Sequence, residues 1–247
     1  MMLRKWENLP EEMQIPEVRK YYDILKKRKF GLFLKRVFDI FVSLILLICL
    51  SPLFLILAIA IKIESKGPVF YRQIRITQYN KKFRIFKFRS MVKNADSGSQ
   101  VTLNNDSRIT RVGKLVRKLR LDEISQLIDV LRGKMTFVGT RPEVPKYTEQ
   151  YTPEMMATLL LPAGITSLAS VYYKDEAKFL DAAEDTDKVY VEEILPAKMH
   201  YNLKAIEKFS FWSDIKTIFM TVFAVLGKNY TGDYVVQEKT EQEEVTK

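Results

Sequence analysis

The longest uncharged apolar stretch runs from Ile40 to Ile61, 22 residues in all, and short aromatic runs and helical periodicities follow it. As an α-helix it would be about 33 Å long, enough to cross the hydrocarbon core of a bilayer. Lys35 and Arg36 precede it, and Lys62 and Lys66 follow it. Basic flanks mark the cytoplasmic side of a membrane segment, and here both ends carry that mark. Ser51-Pro52 stands in the middle, where a proline removes a helix hydrogen bond and clashes with the preceding turn. A bent hairpin that enters and leaves on one face reconciles these features. A straight spanning helix with a tolerated proline stays open beside it.

Ahead of this segment, residues 1–32 mix aromatic, acidic and basic side chains and end in Lys26, Lys27, Arg28 and Lys29. They read as a soluble, partly helical leader; the apolar segment comes too late to be a secretory signal and has no clear small-residue cleavage site. After it, Gly67-Pro68 signals a turn, and VFYRQIRI and KFRIFKFRS read as two strands turning near Tyr79-Asn80. Residues 94–107 are polar and loop-like. Helical text runs from Thr110 through Arg120, pauses, and resumes at Asp122 until Gly133, a predicted C-cap. Gly139 predicts a turn, Pro142-Glu143 a helix start, and Leu161-Pro162-Ala163-Gly164 a second turn. Asp175 to Glu193 reads as an acidic, solvated helical excursion, and Phe209 to Leu226 as an interfacial or a core helix. The tail after Lys228 is polar and predicted to be disordered. The class is α/β, mostly helical with a small β-hairpin. Its parts are a leader 1–32, a hairpin 33–66, a domain 67–227 and a tail 228–247.

Composition narrows the chemistry. A chain of 247 residues that is 47% hydrophobic buries a real core in one or two domains. Cys49 and His200 are the single residues of their kinds, so no disulfide framework, cysteine-rich metal site or histidine cluster is available. The net charge of +10 is concentrated: Lys66 to Arg120 holds fifteen Lys or Arg against two acids, leaving the remainder net acidic by three. Such a block suits nucleic acid, anionic lipid or a phosphorylated small substrate.

Directly after the cations Arg117, Lys118 and Arg120 come Asp122 and Glu123. A carboxylate beside concentrated positive charge stays ionised and can attack, or hold a metal against, a phosphorylated substrate. The plainer reading makes Asp122 the N-cap of a helix carrying Leu121, Ile124, Leu127, Ile128 and Leu131.

The blocks KRVFDI, Ser51-Pro52, SKGPVFYRQIRI, FKFRSM, NDSRITRVGKLVRK, LDEISQ and VGTRPE, in that order over roughly Leu34 to Gly227, resemble the bacterial sugar transferase family, the monotopic phosphoglycosyl transferases. The resemblance implies an enzyme of the bacterial cytoplasmic membrane whose catalytic domain faces the cytoplasm. It implies transfer of a phosphosugar from a nucleotide diphosphate sugar, usually a UDP-sugar, to undecaprenyl phosphate, releasing UMP and initiating surface glycan synthesis. It implies a re-entrant helix broken at Ser51-Pro52, with Asp122 as nucleophile forming an aspartyl phosphosugar. Glu123 is the second dyad member, Mg2+ is the expected cofactor, and both carboxylates are candidate ligands. Arg117, Arg141 and Tyr147 match family positions suited to substrate contact, and Lys87, Arg89 and Arg108 lie on matching blocks with solvation or anionic-lipid contact as the alternative. Arginine's planar fork fits phosphate oxygens.

Several positions depart from the pattern. Thr140 stands where the family has proline, Ala163 and Ser167 where a turn has proline and glycine, Ser125 for proline, Asp129 for asparagine and Asn202 for aspartate. A non-catalytic membrane adaptor with this fold and a membrane-tethered nucleic-acid binder remain as alternatives, although no nucleic-acid-binding signature is found. No nucleic-acid partner is expected; a phospholipid membrane is, and a homo-oligomer stays open.

Overall fold

The computed structural model describes residues 3–92, 108–174 and 185–230. The predicted loop 94–107, most of the acidic excursion and the tail from 231 lie outside the described residues.

Helix α1 (Pro16–Lys27) opens on a proline, whose missing N–H has no partner in a first turn in any case. It buries Val18, Tyr21, Tyr22 and Leu25. These join Leu9, Met13, Ile76, Leu160, Ile206 and Phe209 in one core cluster, so the leader is part of the folded body.

Helix α2 (Lys29–Cys49) and helix α3 (Ser51–Glu64) follow, bent by 60° at Leu50. Pro52 sits in the first turn of α3, where no N–H is needed, and the Ser51 hydroxyl donates to the Ile48 carbonyl at 2.8 Å. The Ser-Pro pair therefore starts a new helix. No single helix among the described residues is long and apolar enough to cross a membrane, while the bent pair passes by length and composition.

Helix α2 is built inside out. Its buried positions are Leu32, Lys35, Asp39 and Ser43, one stripe at helical spacing, whereas Phe30, Phe33, Phe41, Leu44, Ile45 and Ile48 are exposed. Lys35 Nζ donates to the Val138 carbonyl at 2.6 Å and pairs with Asp214 at 2.5 Å. Asp39 accepts from Thr136 Oγ1 at 2.7 Å and from the Phe137 N–H at 3.2 Å. Arg36 donates to the carbonyls of Val130 and Leu131, near the end of a short helix described below.

The strands among the described residues form three two-stranded sheets. The expected hairpin is two nested antiparallel pairs. The outer pair joins β1 (Phe70–Tyr71) to β4 (Lys87–Phe88), and the inner joins β2 (Ile74–Thr77) to β3 (Lys81–Arg84), with Thr77 opposite Lys81. Its turn falls at Tyr79 and Asn80, both left-handed at φ 58° and 55°.

Helix α4 (Arg111–Lys118) starts at Thr110, whose side chain accepts from the Gly113 N–H. Helix α5 (Leu127–Leu131) is shorter than the predicted helix, and Gly133 closes it at φ 73°. The second predicted turn is a correction: Ala163–Thr166 is strand β6, parallel to β5 (Met135–Val138). The reason is a close backbone approach. Gly164 N–H donates to Thr140 O at 2.8 Å and Gly139 N–H to Thr166 O at 2.9 Å, and a Cβ on Gly164 would fall 2.2 Å from Gly139 backbone atoms. Gly164→Ala is expected to destabilise the protein by about 2–3 kcal/mol through overpacking. Chemical denaturation checks it, and a loss below about 0.5 kcal/mol, the usual surface value, would contradict the approach.

The remaining helices are α6 (Pro145–Thr148), α7 (Leu168–Tyr172), α8 (Thr186–Val189), a π-helical turn Tyr190–Ile194, α9 (Leu195–Glu207) and α10 (Phe211–Val225). In the described part of the acidic excursion Tyr190 is buried, so that part is not simply solvated. Ser167, at a family glycine position, caps α7 by accepting from the Ser170 N–H. Ser210 and Ser213 cap α10 reciprocally. Helix α10 lies against α2 through Phe211 and Phe38, and on its other side Trp212, Phe219, Val222 and Phe223 are exposed. It is neither a core helix nor wholly superficial.

Candidate active site

The dyad is delivered by the way α4 stops. Arg120 takes the left-handed conformation at φ 56°, the Arg120 N–H donates to Arg117 O, and the Leu121 N–H donates to Val116 O. This is a Schellman ending with arginine where glycine is usual, a conformation costing about 1–2 kcal/mol outside glycine. Leu121 packs with Val116 and Phe88, and the chain reverses so that Asp122 and Glu123 occupy the turn. The expected capping role of Asp122 is corrected here. The short 3-10 turn Ile124–Gln126 has Glu123 at its N-cap position with no side-chain cap, and α5 starts only at Leu127.

Two anchors fix the turn. The Phe88 N–H donates to Asp122 O at 3.0 Å, and Ser125 Oγ donates to Phe86 O at 3.0 Å and lies 3.3 Å from Asp122 O. Asp129 accepts from the Phe86 N–H at 2.7 Å. The departures Ser125 and Asp129 thus tie the segment between β3 and β4 to the dyad.

Strand alternation sends Phe88 into the core and Lys87 toward the carboxylates. Lys87 Nζ is 3.5 Å from Asp122 Oδ2 and 3.3 Å from Glu123 Oε1. Arg141, on the loop after β5, grips Glu123 with both terminal nitrogens, at 3.2 and 2.5 Å. Burial alone would raise the Glu123 carboxyl, but Arg141 and Lys87 outweigh it and hold it well below the ordinary carboxylate range. Its contribution to stability is therefore complete above the ordinary carboxylate pKa and fades only as pH falls through its lowered value.

The structure brings together Asp122, Glu123, Lys87 and Arg141. Of the other expected substrate residues, Arg89 and Tyr147 are engaged with other groups. Arg89 is buried, and its guanidinium donates to the carbonyls of Ser65 and Lys66 and to Ser65 Oγ, holding the end of α3. Tyr147 is buried, its hydroxyl donating to Asp187 at 2.6 Å and its ring 4.6 Å from that of Tyr190. Burial and the Asp187 bond both push that phenol up. Arg117 is half-buried at the end of α4 and makes no side-chain ion pair among the described residues. Arg108 meets Val92 through its carbonyl. Asn202 is buried against Met199, and Thr140 supplies the carbonyl that receives Gly164.

The described residues hold no group of three or more His, Cys, Asp or Glu able to bind a metal. An Mg2+ ion needs less, since it is commonly held by one or two carboxylates together with substrate phosphates and water. Asp122 fits that role, while both Glu123 oxygens already carry Arg141, and Lys87 also approaches Oε1.

The site is thus a carboxylate pair held between two fixed cations, Lys87 and Arg141. The chain belongs to the bacterial sugar transferase family, whose model matches residues 30–228. It is 37% identical over 198 residues to the UDP-N-acetylgalactosamine-undecaprenyl-phosphate N-acetylgalactosaminephosphotransferase of Aeromonas hydrophila, covering 78% of this chain and 44% of that protein. It is 39% identical over 195 residues to the UDP-glucose:undecaprenyl-phosphate glucose-1-phosphate transferase of Klebsiella pneumoniae, covering 76% and 39%. With the protein of that same description from Caulobacter vibrioides it shares 33% identity over 196 residues, covering 78% and 69%. The chain spans about two fifths of the length of the first two.

Proposed function

We propose that this protein transfers a phosphosugar from a UDP-sugar to undecaprenyl phosphate at the cytoplasmic face of a bacterial membrane. The observation that carries the reading is the dyad: Asp122 beside a Glu123 that is clamped by Arg141 and approached by Lys87. The names of its relatives support the substrate classes.

In the proposed reaction an Asp122 carboxylate oxygen attacks the sugar-bearing phosphorus. The bond from that phosphorus to the bridging oxygen breaks, and UMP leaves with the electron pair. A phosphate oxygen of undecaprenyl phosphate then attacks the aspartyl phosphosugar, and Asp122 departs as carboxylate. Each displacement uses an anionic nucleophile and an anionic leaving group, so neither requires a general base. Lys87 offsets charge at Asp122, and Glu123 holds Lys87 and Arg141 where phosphate oxygens gather. When bound, Mg2+ supplies charge neutralisation on the diphosphate.

The re-entrant hairpin is proposed for α2 and α3, supported by their bend, by basic residues at both ends and by the outward apolar side chains. Exposed Trp212 and Phe219 on α10 would rest at the same boundary.

The test is UMP release by the purified protein with undecaprenyl phosphate, Mg2+ and a panel of UDP-sugars including UDP-glucose and UDP-N-acetylgalactosamine. Turnover of at least one sugar that depends on the lipid acceptor is expected. Failure of every sugar in the panel would favour the non-catalytic adaptor.

A further inference from the structure

Arg141 reaches Glu123 from a loop with no regular structure of its own, so something must hold that loop. Four bonds do. The carbonyl of Thr140 receives the Gly164 N–H at 2.8 Å, and the carbonyl of Glu143 receives the Ile76 N–H at 2.9 Å. The Glu143 carboxylate accepts from the buried Tyr190 hydroxyl at 2.7 Å, with Lys198 Nζ 3.8 Å away. Between them, the carbonyl of Pro142 accepts from Arg75 Nη1 at 3.1 Å.

Arg75 is itself fixed. Its Nε and Nη2 donate to Gln73 Oε1 at 3.2 and 2.7 Å, leaving Nη1 aimed at the loop. Gln73 and Arg75 are two apart and so lie on the same face along the strand direction, while Ile76, next in line, takes Glu143 through its backbone. Burial pushes the Arg75 guanidinium down from its ordinary value, Glu143 opposes that, and the like charge of Arg141 adds to it. A cation placed near another cation is unfavourable unless other interactions offset the repulsion. Arg75 supports the Pro142–Glu143 peptide, one residue beyond Arg141, and Glu143 offsets the repulsion.

We infer that Arg75, oriented by Gln73, is a positioning residue that sets Arg141 on Glu123 by holding the carbonyl of Pro142. The inference rests on the proposed role of Arg141 in the reaction. A lysine at position 75 keeps the charge but loses the fork that binds Gln73 and Pro142 together.

The experiment is a double-mutant cycle on kcat/KM for UMP release, using the full chain, Arg75→Lys and Arg141→Lys, with thermal melts of all four proteins. Displacing a reacting constellation by about 1 Å lowers rates by up to about 10²-fold. Arg75→Lys alone is expected to lower kcat/KM by roughly tenfold to a hundredfold, and by less than about twofold once Arg141 is already lysine, because a residue acting only through another has nothing left to position. Equal losses in both backgrounds would overturn the inference, since a general effect on folding multiplies independently. An Arg141→Lys variant of full activity would instead remove the reading of Arg141 on which it rests.

Discussion

Asp122→Asn is expected to abolish UMP release, lowering kcat by on the order of 10³-fold or more, the scale on which removal of a covalent nucleophile is felt. The substitution is nearly isosteric and leaves the turn intact, because Phe88 and Ser125 hold Asp122 through its backbone carbonyl. The side chain loses only a 3.5 Å approach to Lys87. Folding is thus expected to be unchanged while chemistry stops. With a UDP-sugar labelled in the sugar and no acceptor present, the parent chain should retain a protein-bound label that the Asn variant lacks. Full activity in Asp122→Asn would falsify the nucleophile assignment. A retained label without turnover would place the nucleophile elsewhere.

The second large effect concerns Lys35. Its ammonium is 3% exposed and bonds to the Val138 carbonyl and Asp214. Lys35→Met removes the cation and leaves the Asp214 carboxylate uncompensated; burial already pushes that carboxyl up and Lys35 opposes the shift. Breaking one side of a buried pair costs about 3–5 kcal/mol, a fall in Tm on the order of 10 °C for a chain of this size. Melting in detergent measures it. The companion Lys35→Met/Asp214→Leu is expected to recover part of the loss, because it removes the uncompensated Asp214 charge while Asp39, which also loses Lys35, keeps its bonds from Thr136 and Phe137. A single variant melting within about 2 °C of the parent, or a double variant no better than the single, would show that the pair contributes little.

Much of this architecture was legible as local signals. Pro52 marked the break, Tyr79-Asn80 the hairpin turn, Gly133 a helix end, and basic residues bracketed the apolar run. Strand β6 was not legible, because Pro162-Ala163-Gly164 has the composition of a turn and becomes a strand only through the approach of Gly139, 25 positions earlier. The dyad's place was half visible. Helical spacing after Asp122 suggested a cap, but the Schellman ending at Arg120, in a residue that seldom takes that conformation, moved the carboxylates into the turn.

Asp122 and Glu123 stood out beside the cations before them, Lys87 and Arg141 only through motif blocks, and the structure places the four together. Arg89 and Tyr147 sit on equally good blocks yet serve α3 and the Asp187 cluster. A motif reports that a residue matters to the fold or the chemistry, and only geometry separates the two. The Gln73–Arg75 pair and the Lys35–Asp39 stripe went unweighed as site features although both leave a trace: polar residues two apart in a strand, and four apart at the start of an apolar helix. Their partners are distant, 67 residues away for Arg75 and 97 for Asp39, and spacing along the chain cannot name a partner so far off.

The inward polar stripe of α2 also sets an order of assembly. Lys35 and Asp39 are made before their partners, since Thr136 follows Asp39 by 97 residues and Asp214 follows Lys35 by 179. Until those segments exist, the ammonium and the carboxylate, one helical turn apart, have chiefly each other as partners. The seating of α2 on the domain is therefore completed only when α10, which carries Asp214, has been made. A chain cut short before Asp214 would leave the buried Lys35 ammonium without its carboxylate partner.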